Sequence, residues 1–125
     1  MHRILLREVI VDVPSAVLDE ARTFWSAALA ATPRVVGEAG EFTALDDPAA
    51  LPHVALQDVG TTAARFHLDL ESDDVEAEVA RLLRLGATEV SRTDHFVVLA
   101  DPAGLLLCVL SPESDEFATR SRQVE

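Results

Sequence analysis

Two titratable side chains occupy alternate positions of one short stretch of the sequence, and they are the first candidates for a functional site. His67 and Asp69 lie in the run Phe66–Leu70, whose composition is typical of a strand. Alternate residues of a strand share a face, so a carboxylate at 69 can orient the imidazole at 67. His67 could also pair directly with Glu8, either as a general base poised near neutral pH or as a simple ion pair. Asp69 is equally compatible with a solvated position near a strand end, and both interpretations stay open.

Two further residues could contribute chemistry from other strands. Glu8 shares a strand face with Ile10 in the first predicted strand. Cys108 lies in an apolar run, 105–110, where a free cysteine usually behaves as a small hydrophobe. Apolar surroundings also disfavour the thiolate, so we expect Cys108 to be inert as a nucleophile.

The aromatic residues and the remaining histidines carry weaker signals. Trp25 follows Phe24 on the first predicted helix. We expect Trp25 to pack in the core or to line a binding site, and the more exposed aromatic of the two to serve a dimer contact. His53 precedes a predicted strand and His95 begins one. We expect both near the surface, although alternation places His53 on the same side as Gln57.

The elements that position these residues follow one order twice, which is strand, helix, strand, strand, strand. The predicted strands cover 5–13, 34–38, 41–45 and 54–59 in the first half and 66–70, 88–91, 95–100 and 105–110 in the second. Phe42, Leu45, Asp47 and Pro48 are repeated as Phe96, Leu99, Asp101 and Pro102, 54 positions later. Two such copies indicate a duplicated βαβββ module rather than a solenoid.

Local signals set the predicted ends of the helices. Ser15 is a candidate N-cap for the first helix, which continues to about Ala28 before Pro33. Asp73 and Glu76 have the spacing of a capping box for the second helix. That helix has an apolar stripe of Val75, Val79, Leu82 and Leu83, with Gly86 as a candidate C-terminal residue. Residues 101–104 have the composition of a type I turn.

Composition excludes several classes of protein. The chain has 125 residues, one cysteine and a net charge of −12. Its length fits one domain, and one cysteine excludes an internal disulfide framework. The acidic balance argues against nucleic-acid binding and against docking on anionic membranes. No apolar run approaches the roughly 18 residues of a membrane span, and no signal peptide is evident. We therefore expect a cytoplasmic protein.

Three segments resemble the vicinal oxygen chelate superfamily. They are the run from Phe66 to Val75, the following Leu85-Gly86-Ala87 and the Val98–Gly104 hairpin. That superfamily includes glyoxalase I, bleomycin-resistance proteins, extradiol dioxygenases and methylmalonyl-CoA epimerase. The resemblance covers about residues 4–111. It implies an α+β fold in which two tandem βαβββ modules, 4–59 and 65–111, form an incomplete barrel as one domain, 1–111. A polar tail follows at 112–125, and relatives commonly form homodimers.

The resemblance also implies four positions for a metal site. In this sequence those positions hold Glu8, Gln57, His67 and Cys108. Gln57 and His67 match the family's usual ligands, whereas Glu8 replaces a His or Gln and Cys108 replaces a Glu. An imidazole, a carboxylate and a thiolate can hold zinc, but the carboxylate expected at 108 is missing. We therefore expect no metal cofactor, with a divalent metal as the alternative.

Three functions remain open. The first is a metal-independent small-molecule binding protein, in which Glu8, Gln57, His67, Asp69, Trp25 and Cys108 are the candidate ligand contacts. An acidic cleft would concentrate a cationic drug or metabolite. The second is a lyase or isomerase that uses a divalent metal with Glu8, Gln57 and His67, or a Glu8–His67 pair as acid and base. The third is a non-catalytic dimeric interaction module, in which Leu106, Cys108 and Leu110 are core.

Overall fold

The structure, a computed structural model, describes residues 1–47 and 53–125. Within them the chain forms two compact units. One unit is Glu8–His67, which we call the first-module unit. The other combines Met1–Arg7 with Leu68–Glu125, and we call it the second-module unit. Pro48, which the repeat analysis matched to Pro102, lies outside the described residues.

The observed elements follow the predicted order. The strands are β1 (His2–Val13), β2 (Thr32–Val36), β3 (Phe42–Asp46), β4 (Val54–Asp58), β5 (Arg65–Ser72), β6 (Thr88–Arg92), β7 (Phe96–Ala100), β8 (Leu106–Leu110) and β9 (Arg122–Val124). The helices are α1 (Leu18–Ala28), α2 (Val75–Arg84) and α3 (Phe117–Arg120). Two βαβββ modules are therefore present, and the predicted α+β class is confirmed.

The first-module sheet has the strand order β2-β3-β4-β1, with β1 and β4 parallel. Alternation along β1 directs its odd-numbered apolar residues to the face covered by α1. That core consists of Val11, Val13, Leu45 and Leu56, against which Leu18, Ala21 and Trp25 of α1 pack. The opposite face of β1 carries Ile10 and Asp12, which are also buried.

The second-module sheet has the order β5-β8-β7-β6, with β5 and β8 parallel. Its core consists of Val79, Val97, Leu99 and Val109, and Val75 and Leu82 of α2 pack against it. Leu83, which the sequence placed in the apolar stripe, is 43% exposed. Neither four-stranded path closes on itself, which agrees with an open sheet rather than a closed barrel.

The helix ends differ from the predicted ones. Ser15 begins a single 3₁₀ turn, Ser15–Val17, and its hydroxyl donates to Asp58 rather than capping α1. Val17 is the N-cap residue of α1 and makes no side-chain capping bond. The N-cap of α2 is Asp74, whose carboxylate accepts the Ala77 N–H at 3.0 Å. The predicted capping residue Asp73 instead accepts the backbone N–H of Arg3.

Two turn predictions are confirmed. Gly86 follows the last residues of α2 with a φ of +109°, a left-handed conformation that glycine adopts without a steric penalty. The Gly104 N–H donates to the Asp101 carbonyl at 3.0 Å and closes the turn between β7 and β8.

The residues after β8 contact the start of β1 and the end of β5 within the second-module unit. Residues 122–124 of β9 pair antiparallel with residues 2–4 of β1. Phe117 of α3 is buried, and its ring lies 5.8 Å from the Arg3 guanidinium carbon. The buried carboxylate of Glu71 accepts the backbone N–H groups of Glu113 and Ser114 at 2.8 and 3.2 Å. Backbone pairing and a buried carboxylate thus fix residues 112–125 in place.

Among residues 1–47 and 53–125, no helix combines the length and the apolar character that a membrane span requires.

Candidate functional site

A buried carboxylate and a buried imidazole meet in the first-module unit. Asp12 on β1 is 2% exposed and His67 on β5 is 7% exposed. The His67 Nδ1 atom lies 2.9 Å from the Asp12 Oδ1 atom, which is within hydrogen-bond distance. Buried polar groups cost free energy unless they are paired, so this hydrogen bond compensates for the burial of both side chains.

Arg65 completes this cluster from the same strand as His67. Its Nε atom lies 3.4 Å from the Asp12 Oδ2 atom, and its side chain is 48% exposed. Arg65 and His67 are alternate residues of β5 and therefore share a face. One carboxylate consequently contacts two side-chain nitrogens, one at each oxygen. We call Asp12, Arg65 and His67 the Asp12 cluster.

The strand register extends this cluster across the sheet. Asp12 lies opposite Gln57 in the parallel pairing of β1 and β4. Gln57 in turn lies opposite Phe42 in the antiparallel pairing of β4 and β3. Cross-strand partners have side chains on the same face. A carboxylate, an amide and an aromatic ring therefore form one row, Asp12–Gln57–Phe42, which we call the polar row.

The other predicted first-module residues lie elsewhere. Glu8 is half-buried on the same face of β1 as Asp12, but four residues earlier, about 13 Å along the strand. Trp25 packs against the apolar cluster of Val11 and Val13, on the α1 side of the sheet. The neighbouring Phe24 is 61% exposed and makes an edge-to-face contact with Trp25. Trp25 thus lies on the opposite face of the sheet from the polar row.

The predicted second-module residues, Asp69 and Cys108, lie side by side. They are register partners in the parallel pairing of β5 and β8. A carboxylate oxygen of Asp69 and the Cys108 sulfur are within 4.8 Å of each other. His67 precedes Asp69 by two residues on β5 and so shares its face. The prediction that His67 and Asp69 share a strand face therefore agrees with their positions on β5.

A second buried histidine lies in the second-module unit. The His2 Nε2 atom is 2.6 Å from the Glu78 Oε2 atom, and Arg81 donates to both Glu78 oxygens at 2.7 and 2.8 Å. Burial alone would raise the pKa of Glu78, but the hydrogen bonds from Arg81 and His2 outweigh it and hold that pKa below the ordinary value. Glu78 is therefore a fully buried, ionised side chain of α2.

Sequence reasoning missed Asp12 and Phe42 as site residues. The alternation Glu8, Ile10, Asp12 was visible in the sequence and places all three on one face of β1. The partnership with His67 was not visible, because it depends on contacts between residues 55 positions apart. Phe42 was recognised only as part of the internal repeat.

The Asp12 cluster and the polar row have a defined chemical capacity. A carboxylate that accepts from an imidazole fixes the ring's orientation and favours the protonated Nδ1 atom. The second ring nitrogen, Nε2, is of a type that can take part in a hydrogen bond or coordinate a metal. The ring of Phe42 offers an aromatic surface for a ligand, including a cationic one.

Residues 8–110 match the sequence model of the glyoxalase-like domain family. No curated protein matches the chain significantly.

Several solved structures resemble the fold. The Mn(II)-bound glyoxalase from Novosphingobium aromaticivorans superposes with a TM-score of 0.61 at 21% identity, over 89% of this chain and 40% of that one. Methylmalonyl-CoA epimerase from Mycobacterium tuberculosis gives 0.56 at 17% identity, over 91% of both chains. A glyoxalase/bleomycin resistance protein/dioxygenase superfamily member from Vibrio splendidus 12B01 gives 0.51 at 17%, over 86% and 98%. This chain thus spans two fifths of the Novosphingobium protein, and these likenesses concern the fold alone.

Proposed function

We propose that this chain, which belongs to the glyoxalase-like domain family, binds a small molecule without a metal. The proposed site is the sheet face that carries the polar row. The observation that carries the proposal is the buried hydrogen bond between Asp12 and His67, which lies at one end of that row. Binding sites typically combine an apolar surface with a few fixed polar groups of this kind.

The composition of this face favours a cationic aromatic ligand. Phe42 supplies an aromatic ring, and a cation above such a ring is attracted by its quadrupole. Glu8 and Asp12 place two carboxylates on the same face of β1. The net charge of −12 would further concentrate cations near the protein. Gln57 and His67 supply hydrogen-bonding groups that can fix the orientation of the ligand.

Benzylammonium is a suitable probe because it combines a cation, an aromatic ring and N–H donors. We expect it to bind near neutral pH in the presence of EDTA, and more tightly than the neutral benzyl alcohol, as measured by isothermal titration calorimetry. His67→Ala should weaken benzylammonium binding about tenfold, the effect of losing one hydrogen bond to a charged group. Glu8→Ala should weaken it without unfolding the protein.

His95→Ala is the matched control, because His95 is an exposed histidine just before β7. It should bind benzylammonium as the wild type does. Equal binding by His67→Ala and the wild type would contradict the proposed site. Binding that disappears in EDTA and returns with a divalent metal would contradict metal independence.

A second candidate function is a divalent-metal-dependent lyase or isomerase. The observation that favours it is the adjacency of Asp69 and Cys108 on β5 and β8, with His67 two residues before Asp69. Imidazole, carboxylate and thiolate are all zinc ligands, whereas manganese prefers oxygen ligands. The donor types therefore fit zinc better than the Mn(II) of the Novosphingobium glyoxalase. A bound zinc would polarise a substrate carbonyl.

Elemental analysis of protein purified without a chelator separates the two candidates. The first candidate predicts far less than one metal atom per chain, both before and after incubation with zinc. The second predicts nearly one zinc per chain, and a reduced zinc content in Cys108→Ser, which replaces the thiol with a poorer ligand.

We also propose that the chain forms a homodimer in the cytoplasm. Phe24 of α1 supports the homodimer, since its side chain is 61% exposed. It lines a shallow surface depression with Asp19, Glu20 and Thr23. Aromatic side chains are enriched at interfaces between protein chains. Light scattering should give twice the chain mass of 13.5 kDa, and the single-chain mass would contradict the dimer.

A further inference from the structure

An exposed aromatic ring and a carboxylate without a partner lie together on the surface of α1. Glu20 and Phe24 are four residues apart, so they are neighbours on the helix surface, and both line the depression formed with Asp19 and Thr23. We call these four residues the α1 depression. Asp19 lies 2.9 Å from Arg22, whereas the Glu20 side chain forms no hydrogen bond or ion pair in the part of the chain that the structure describes. The Glu20 carboxylate is therefore available to a cation.

The ring of Phe24 is positioned by its neighbour Trp25. Trp25 packs against the core of the first-module unit, and the two rings meet edge to face with centroids 5.3 Å apart and an interplanar angle of 87°. Phe24 nevertheless remains 61% exposed. An aromatic face attracts a cation, and in proteins that cation is most often an arginine guanidinium. With the carboxylate of Glu20 beside this ring, the α1 depression has the chemistry of an arginine site.

The chain itself carries an arginine that fits such a site. Arg84 is the last residue of α2 and is exposed, and its side chain forms no ion pair among residues 1–47 and 53–125. Its neighbours Leu83 and Leu85 are 43% and 66% exposed. These three residues, which we call the α2 patch, combine a guanidinium with exposed apolar surface. The α2 patch thus matches the α1 depression in both charge and apolar character.

Two other exposed arginines match the α1 depression less well. Arg120 and Arg122 also form no side-chain ion pair within the described residues. Their chain neighbours, however, are the polar residues Thr119, Ser121 and Gln123. Burial of apolar surface drives association, so an exposed aromatic ring gains more from contact with leucine side chains than with these polar ones.

We propose that in the homodimer the α2 patch of one protomer binds the α1 depression of its partner. The Arg84 guanidinium then lies over the partner's Phe24 ring and beside the partner's Glu20 carboxylate. This inference rests on the proposed homodimer and names the residues that form it. Each chain carries both surfaces, so two reciprocal contacts can close a dimer. Arginine and large aromatic side chains are enriched at interfaces between protein chains.

Charge reversal tests this contact directly. Glu20→Arg and Arg84→Glu each bring like charges together and should weaken self-association about tenfold or more, as measured by sedimentation equilibrium over a range of chain concentrations. An equimolar mixture of the two variants should recover the mass of two chains, because each depression then meets a patch of opposite charge. The variant that carries both changes should recover that mass as well.

Two matched variants control for net charge and for the choice of arginine. Glu38→Arg makes the same charge change at another exposed acid, and Arg120→Glu reverses another exposed arginine. Both variants should self-associate as the wild type does. Phe24→Ala should weaken the dimer about tenfold or more, as truncation of an aromatic residue at the centre of a contact does.

The outcomes separate the contact from the homodimer itself. A wild-type dimer that Glu20→Arg and Arg84→Glu leave unchanged would overturn the contact while leaving the homodimer intact. Weakening by both variants without recovery in their mixture would overturn the pairing of Glu20 with Arg84. A wild type that is monomeric at every concentration would overturn both the homodimer and the contact.

Discussion

Replacing Glu78 by alanine should lower the free energy of unfolding by about 3–5 kcal/mol, the usual effect of removing one partner from a buried ion pair. Glu78 has no exposed side-chain surface, and it accepts from His2 and twice from Arg81. Without this carboxylate, His2 remains 93% buried and loses its hydrogen-bond partner on α2. Urea unfolding followed by circular dichroism measures the difference.

Glu76→Ala is the matched control on the same helix. Glu76 is an exposed acid whose Oε1 atom lies 2.9 Å from Arg92, and exposed pairs contribute about 0–1 kcal/mol. A loss for Glu78→Ala no larger than that for Glu76→Ala would show that the buried carboxylate does not stabilise the fold.

The contribution of Glu78 should also depend on pH. Its pKa in the folded protein is held below the ordinary value of 4.5, so the folded state favours the ionised form. The contribution is therefore complete above about pH 4.5 and is lost as the pH falls through the folded pKa. The difference in stability between the wild type and Glu78→Ala should accordingly shrink below pH 4.5. A difference that stays constant down to pH 2 would contradict this assignment.

Glu71→Ala should have a comparably large effect, about 3–5 kcal/mol, and should also release the segment after β8. The Glu71 side chain is fully buried, accepts the N–H groups of Glu113 and Ser114, and has an oxygen 3.7 Å from Arg7 Nε. Its loss leaves two backbone donors and a guanidinium without this acceptor. Hydrogen exchange should become faster at residues 113–124, together with a lower urea midpoint.

Glu113→Ala provides the control for Glu71. The Glu113 side chain is 59% exposed and also pairs with Arg7, but its backbone N–H remains available to Glu71. This variant should lose no more than about 1 kcal/mol and keep slow exchange at residues 113–124. Slow exchange in Glu71→Ala as well would mean that β9 pairing and Phe117 hold the segment without the carboxylate.

The sequence predicted the elements well because their signals are local. Apolar alternation marked the strands, and Gly86 and the Asp101–Gly104 turn marked two of the chain reversals. The N-cap residues of the helices were predicted less accurately, because neighbouring acidic residues can each act as the N-cap. Asp73 and Asp74 are adjacent, and only the contact of Asp73 with the Arg3 N–H shows why Asp74 is the one that caps α2.

The site was harder to predict because it depends on register between distant strands. Sequence alignment of the two halves matched Glu8 with His67, 59 positions apart. In the structure, Asp12 lies opposite Gln57 and Asp69 lies opposite Cys108. The corresponding residues of β1 and β5 are therefore Asp12 and Asp69, 57 positions apart. A shift of two residues preserves the face of each strand, so the hydrophobic pattern gives no sign of it.

The buried acids were also invisible to pattern reasoning. Glu71 and Glu78 belong to a residue type that usually faces solvent. Charged side chains are rarely fully buried unless they are paired. Their partners Arg7 and His2 lie more than 60 positions away in the sequence. Only the tertiary fold brings these charges together, so composition and periodicity could not indicate them.

The packing of Trp25 makes the intrinsic fluorescence of this protein a reporter for one unit only. Trp25 is the single tryptophan, and the chain contains no tyrosine. It packs against Val11, Val13, Leu45 and Leu56, all within the first-module unit. The core around Leu99 contains neither tryptophan nor tyrosine, so it contributes no intrinsic tryptophan or tyrosine fluorescence. Tryptophan emission at increasing urea thus follows the unfolding of residues 8–67 alone. If the emission midpoint of Glu78→Ala equals that of the wild type, the two units unfold separately. If that midpoint shifts, they unfold together.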